Sequence, residues 1–261
     1  MGYDHYRIKS NAKLFYKNNM GTSILSVLIQ LGMSLGMTFC MYMLFFTLDA
    51  LLLIILGLAA SGIGSAGSET AAAIAGFFVI VVMAAAMILP TMAFIPFSMG
   101  YVNWYRRSIY EKVSLGAMFD FYGNGRLWSC IGTGLLRGLY VMLWSLLFYI
   151  PGVIKSYSYS QTFYIKAENP NISPSRAIEL STVMMDGHKG QLFYLHLSFI
   201  GWFILSGITW NILGILYVIP YYSAALAFTY EEVKADAVAR GVIDIREINP
   251  NIDMREIYPE M

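Results

Sequence analysis

Residues 71–102 read AAAIAGFFVIVVMAAAMILPTMAFIPFSMGYV, thirty-two positions without Asp, Glu, Lys or Arg. A helix in water needs a charged face. About 20 mainly apolar residues suffice to cross a hydrocarbon core about 30 Å thick, so this stretch is long enough for lipid and too greasy for solvent. It sits inside a larger window. Between Lys17 and Arg106 lie 88 residues with no basic side chain and two acids, Asp49 and Glu69. A second window of 41 residues, between Lys189 and Glu231, has no charge at all, and Arg137 is the single charge between Arg126 and Lys155. Over the 261 residues, 57% are hydrophobic and 13% charged. Soluble domains run about 45–50% and about 25%. The composition excludes a soluble globule, a nucleic-acid binder and a disordered chain, and leaves an all-α, polytopic membrane helix bundle whose first partner is the lipid bilayer.

The windows divide at turn signals. The small polar run from Ser61 to Glu69 reads as a loop. It separates a helix at 21–47 from one at 71–102 that Pro90 and Pro96 should kink. Residues 51–60 are an apolar surplus that either extends the first helix or lies in the outer interface. The third helix, 128–149, stops at Pro151-Gly152, and a polar fourth returns over 153–168. The last window divides near Trp210-Asn211 into 190–209 and 212–231. The expectation is six crossings in one transmembrane domain, 1–232, and a cytoplasmic tail, 233–261, containing a short helix and flexible chain.

Charge placement orients this arrangement, because basic residues collect in cytoplasmic loops. With the N-terminus inside, 15 of the 17 Lys and Arg residues fall on the inner side. The other two, Arg137 and Lys155, lie within helices. Removing the fourth crossing would move the last loop and tail outside and break the pattern. Both ends are therefore expected in the cytoplasm. The apolar run after Lys17 is longer than the about 7–15 residues of a signal-peptide core and reads as an uncleaved anchor. Cys40 and Cys130 fall at opposite depths and should not pair, and no cofactor or metal motif is present.

The candidate site residues are the polar groups inside the lipid: Arg137, Lys155, Ser156, Ser160, Gln161, Tyr164 and Glu168. An ionisable group at this depth is expensive and faces a partner or a wet cavity. Arg137 should either pair with Glu168, one turn below Tyr164, or snorkel to the inner headgroups. Lys155 should either anchor at the outer interface or meet Asp49. The polar side chains of 153–168 serve either interhelical hydrogen bonds or a substrate or ion path. Gly32/Gly36 and Gly134/Gly138 have the spacing that lets backbones approach, inside the bundle or across a homo-oligomer.

Three inner segments have an apolar helical face: 5–18, through Ile8, Ala12, Phe15 and Tyr16; 114–122, through Leu115, Met118, Phe119 and Phe121; and 174–186, through Ala177, Ile178, Ser181, Met184 and Met185. In the third, Ser173 suits the N-cap and Pro174 the first helical position. It is either a linker lying on the membrane surface or a docking surface for a membrane or cytoplasmic protein partner.

One run of motifs is more specific. Ile150-Pro151-Gly152-Val153-Ile154-Lys155-Ser156-Tyr157-Ser158-Tyr159-Ser160 is followed by Glu168-Asn169-Pro170-Asn171-Ile172-Ser173, Ala177-Ile178-Glu179-Leu180-Ser181, Met185-Asp186-Gly187-His188-Lys189, Leu197 to Trp202, and Ile219-Pro220-Tyr221. This order resembles the bacterial integral-membrane domain-of-unknown-function family numbered 975, over about 145–232. Gly190 stands where that family carries an aromatic. The helix entering 190–209 also resembles the membrane domain attached to some glycerophosphodiester phosphodiesterases, whose catalytic domain has no counterpart here. The resemblance implies a fold and no reaction. The expected role is non-enzymatic: a scaffold or accessory component of export or envelope homeostasis. The alternative is a small transporter or channel with a polar path along 153–168 and Arg137. A lipid-directed enzyme would need a cluster of acid, base and nucleophile that the sequence does not offer.

Overall fold

The computed structural model describes residues 4–60, 68–123 and 125–250. Of the loop expected from Ser61 to Glu69, residues 61–67 lie outside them, while Ser68 and Glu69 already belong to a helix; residues 251–261 of the expected tail also lie outside them. The described residues are helical, without strands, in the order α1 (His5–Asn18), α2 (Met20–Ala60), α3 (Ser68–Ser108), a 3-10 segment (Leu115–Tyr122), α4 (Leu127–Leu147), α5 (Tyr149–Ser158), α6 (Thr162–Glu168), α7 (Pro174–Met184), α8 (Lys189–Ile208), a π segment (Gly214–Val218), α9 (Ile219–Ala239) and α10 (Ile245–Ile248). They form two compact units, 31–94 and 1–30 with 95–261.

The unit 31–94 consists of parts of α2 and α3. Their apolar residues surround the helix rather than forming a stripe. Leu35, Phe39, Phe46, Leu53, Phe77 and Ile80 are all more than half exposed. The surplus at 51–60 continues α2, which settles that alternative in favour of a longer helix. Its hydroxyls turn inward on their own helix: Thr38 donates to the Ser34 carbonyl at 2.8 Å and Thr47 to that of Leu44 at 2.9 Å.

The larger unit is built from shorter, specific pieces. Asp4 caps α1 by accepting from the Tyr6 N–H at 2.9 Å. Ile8, Ala12, Phe15 and Tyr16 are buried on the face expected for them, and α1 packs against α9. In α7, Ser173 accepts from the Arg176 N–H at 3.3 Å and Pro174 opens the helix. Its apolar face is buried against α4, α6 and α9, so that face is occupied inside the protein. Arg176 and Glu179 remain on the outer side. The 3-10 segment buries Ala117, Met118 and Phe121, while Phe119 stays outside. Gly100 of α3 lies directly against the Met118 carbonyl, where a Cβ would collide with backbone.

Among the described residues, four helices are long and apolar enough to cross a membrane: Met20–Ile55, Gly76–Ser108, Leu127–Leu147 and Lys189–Ile208. The two remaining expected crossings take other forms. The stretch 153–168 is not one helix but α5 and α6, separated at 159–161. The stretch 212–231 begins as a π segment, and α9 then runs on past Glu231, Glu232, Lys234 and Asp236. The turn between α8 and this last segment falls where expected, with Trp210 and Asn211 at φ 52° and 64°. Pro220 explains the π segment: it has no N–H for the Leu216 carbonyl and its ring crowds that oxygen. The Tyr16 hydroxyl, from α1, donates to it at 2.5 Å.

Candidate functional site

The unusual local feature is the break between α5 and α6. α4 ends at Phe148 in extended conformation, and α5 turns back along it. The approach is close because Gly152 has no side chain; a Cβ there would lie 2.8 Å from the Ser145 Cα. α5 then stops at Tyr159, leaving backbone groups without helical partners. Ser181 of α7 supplies two of them. Its hydroxyl donates to the Ser158 carbonyl at 2.8 Å and accepts the Gln161 N–H at 3.1 Å. One serine on a buried face therefore holds both sides of the break.

Arg137 supplies a third contact. Its Nε donates to the Tyr159 carbonyl at 2.9 Å, and the guanidinium lies 4.9 Å from the Phe163 ring centroid. Arg137 thus meets the returning chain at Tyr159 and Phe163. The pair with Glu168, one of the two alternatives expected for it, is not formed. Glu168 is taken by others: Tyr230 donates to it at 2.7 Å, Lys234 pairs at 3.0 Å, and Arg106 stands 3.6 Å away. Its side chain is only 5% exposed, so this carboxylate is a buried junction of α3, α6 and α9. Tyr164 stacks on Tyr230, with centroids 4.9 Å apart and rings 15° from parallel.

The remaining predicted residues have local partners. Lys155 lies 4.8 Å over the Trp144 ring. Ser156 donates to the Val153 carbonyl at 2.7 Å. Ser160 accepts from the Gln161 amide at 3.0 Å, and the same amide reaches the Met185 sulfur at 3.4 Å. Two buried atoms at the break have no hydrogen-bond partner among the described residues: Gln161 Oε1 and Thr162 Oγ1. Tyr157 and His196 share a hydrogen bond of 3.0 Å between α5 and α8. Two open grooves in this unit, of about 520 and 370 Å³, are lined by other residues.

The charge pattern counts Lys166 among the inner loop residues. In the structure it is fully buried. Its ammonium donates to Ser129 Oγ at 2.6 Å and to the carbonyls of Pro170 and Ile172 at 2.8 and 2.5 Å. All three donors are used, tying α4 to the chain between α6 and α7. The sequence signal is faint: Lys166 precedes Asn169-Pro170, a break whose carbonyls need donors. The docking of the tail is a second feature that the pattern does not announce. Arg176 grips Glu247 through Nε and Nη2 at 2.5 and 3.0 Å, the Asn169 amide donates to the Glu247 carbonyl at 2.8 Å, and Ile245 and Ile248 are buried. The Arg176 bond holds the Glu247 carboxyl below its ordinary value of 4.5. A bond from His188, at 2.8 Å, does the same for Asp236.

Among the described residues no group of three or more His, Cys, Asp or Glu could hold a metal ion. Cys40 and Cys130 are free thiols, one exposed and one buried. The arrangement can clamp helices and hold a cation at depth. No curated protein and no solved structure matches the chain. Residues 132–237, which hold the α5–α6 break, Lys166, Glu168 and the α7 face, match the family model described as protein of unknown function (DUF975), the family that the motif order from Ile150 to Tyr221 resembles.

Proposed function

We propose that this protein is a non-enzymatic membrane scaffold, an accessory component of export or envelope homeostasis in a bacterial plasma membrane. One observation carries the reading: the polar groups within its helices are spent on architecture. Ser181 holds the break, Lys166 is saturated by three acceptors, and Glu168 joins three helices. In this reading the α5–α6 pair and the segment 212–231 complete six crossings, and both ends face the cytoplasm. A partner protein would use the polar side of α7, at Glu179, because the apolar side is occupied and Arg176 is held by Glu247.

The second reading is a small transporter or channel along α5–α6. The unpartnered Gln161 Oε1 and Thr162 Oγ1 favour it, as atoms that a passing solute or water could meet. Cysteine labelling separates the two. Cysteines placed at Ser160 and Gln161, in the full chain in native membranes, should resist small membrane-impermeant maleimides from both sides. Labelling from either side, blocked in Arg137→Leu, would replace the scaffold by a path. Reporters at residues 1 and 261 test the topology, and opposite sides for the two ends would sink it.

A further inference from the structure

The tail helix α10 and the turn between α6 and α7 meet as two parts that are each complete without the other. We propose that this turn is a docking seat for a segment of a partner protein that carries a carboxylate flanked by aliphatic side chains, and that α10 is the chain's own stand-in, a strap that closes the seat. The strap deepens the scaffold reading and rests on it for its purpose.

The seat belongs to the body of the protein. The buried Lys166 holds the Pro170 and Ile172 carbonyls at 2.8 and 2.5 Å. Asn169 Oδ1 accepts the Asn171 N–H at 3.1 Å, and Ser173 caps α7. None of these bonds involves residues 241–250, so the turn keeps its shape when α10 leaves. A preformed seat spares an incoming segment the cost of ordering it. The strap is equally self-contained. Gly241 closes α9 at φ 67°, with its N–H on the Val238 carbonyl at 2.9 Å, a left-handed turn that glycine adopts freely. Asp244 caps α10 by accepting the Arg246 N–H at 2.9 Å, and the N–H groups of Glu247 and Asn249 bond the carbonyls of Asp244 and Ile245 at 3.0 and 2.8 Å.

The strap shows which chemistry the seat takes. The Glu247 carboxylate fills the Arg176 fork, and the Glu247 carbonyl accepts from the Asn169 amide. A bidentate pair of this kind fixes orientation as well as charge. Ile245 and Ile248 are buried at the i, i+3 spacing of a helix docked by one face. The hold is nevertheless light. Glu247 is 33% exposed and Arg176 42%, which leaves their ion pair worth little, and one turn of helix has no stability of its own. A segment held so sparingly opens at low cost. While it is docked, Arg176 is withheld. Once it is displaced, Arg176 joins Glu179, its neighbour at 2.8 Å, on the open side of α7 where the partner is expected.

The test uses the full chain in a neutral detergent and, as probe, a fluorescent peptide of residues 241–250, followed by anisotropy. The tethered tail competes at about millimolar effective concentration, so wild type should bind the peptide weakly. Glu247→Lys turns the tail's charge against Arg176, and that chain should bind the native peptide about tenfold or more tighter. Arg176→Glu also opens the seat but reverses its preference: this chain should bind a peptide carrying Glu247→Lys and reject the native one. Both side chains are partly exposed, so both variants should melt near wild type. Equal binding of the native peptide by wild type and Glu247→Lys, no binding to either opened chain, or a preference that does not switch with residue 176 overturns the strap. Two tagged wild-type chains that copurify, and cease to do so with Glu247→Lys in both, make a second copy the occupant and overturn the assignment to a different protein. The two readings fall separately. A failed peptide leaves the cysteine result at Ser160 and Gln161 untouched, and labelling there removes the scaffold while peptide binding stands as measured.

Discussion

The unit 31–94 and the rest of the chain solve the same solvent problem in opposite ways. In the first, apolar side chains cover the helices all round and the hydroxyls fold back on their own turns. Almost any apolar residue would serve there, because the environment asks only for hydrophobicity. In the second, helices are short or broken and partners are specific: Ser181 for Ser158 and Gln161, Tyr16 for Leu216, Lys234 for Glu168. The lesson concerns tolerance. Substitutions should be absorbed in one unit and felt in the other.

The sharpest test is the buried carboxylate. Glu168→Ala takes the buried carboxylate from Arg106 and from the Tyr230 hydroxyl, and leaves Lys234 with Glu231 alone, at 2.8 Å; it should cost about 3 kcal/mol of stability, read as a fall in the denaturant midpoint of the purified protein. Mutating Lys234 in that background should cost less than it does alone. Additive losses would mean that the three helices are held by something else.

Glycines give the next contrast. Gly100→Ala forces a Cβ into the Met118 carbonyl and should cost about 2–3 kcal/mol by overpacking. A Cβ added at Gly32 or Gly36 would meet nothing within 4 Å. There alanine should be neutral or stabilising by up to about 1 kcal/mol, as in any exposed helix. Of the two small-residue pairs in the sequence, Gly134 is used internally, since a Cβ there would lie 2.6 Å from the Ile95 side chain, while Gly138 is open like Gly32 and Gly36. A loss of stability at Gly36 would erase the contrast between the units and point to a second copy of the chain on that face.

What could be read in advance follows the same division. The apolar windows and the faces of α1 and α7 were legible, because one period along one helix fixes them. Ser173 and Pro174 marked the start of α7 for the same reason. The break at 159–161 was not, since the residue that holds it, Ser181, lies twenty positions downstream on another helix. Counting residues along α4 and the returning chain offers Glu168 as one partner for Arg137, but the claim of Lys234 on Glu168 depends on how α9 crosses α6. Ser181→Ala addresses this nonlocal term directly. It should cost about 1–2 kcal/mol, the penalty for stranding a buried carbonyl and a buried N–H, and should speed hydrogen exchange at Gln161 before that of α8. Exchange unchanged at Gln161 would show that the break holds without its clamp.

The smallest effect is expected at the tail. Glu247 has a carboxyl value pushed below 4.5 by its bonds to Arg176, with burial and, to a lesser extent, Asp244 acting the other way. The folded chain therefore binds its proton less readily than the unfolded chain, and the pair contributes stability above pH 4.5 that is lost as pH falls through the lower folded value. Asp236, held by His188, changes in the same direction. Glu247 is one-third exposed and Arg176 more so, so screening keeps the energy small, and the readout should be local. Amides of Ile245–Ile248 should exchange faster as pH drops below 4.5, after correction for intrinsic exchange, while those of 31–48 in α2, a stretch without a carboxylate, keep their protection. Glu247→Gln should show the loosened exchange at neutral pH and no further change on acidification. If α10 stays protected in that variant, its docking rests on Ile245 and Ile248, and the tail belongs with the tolerant, apolar part of the molecule.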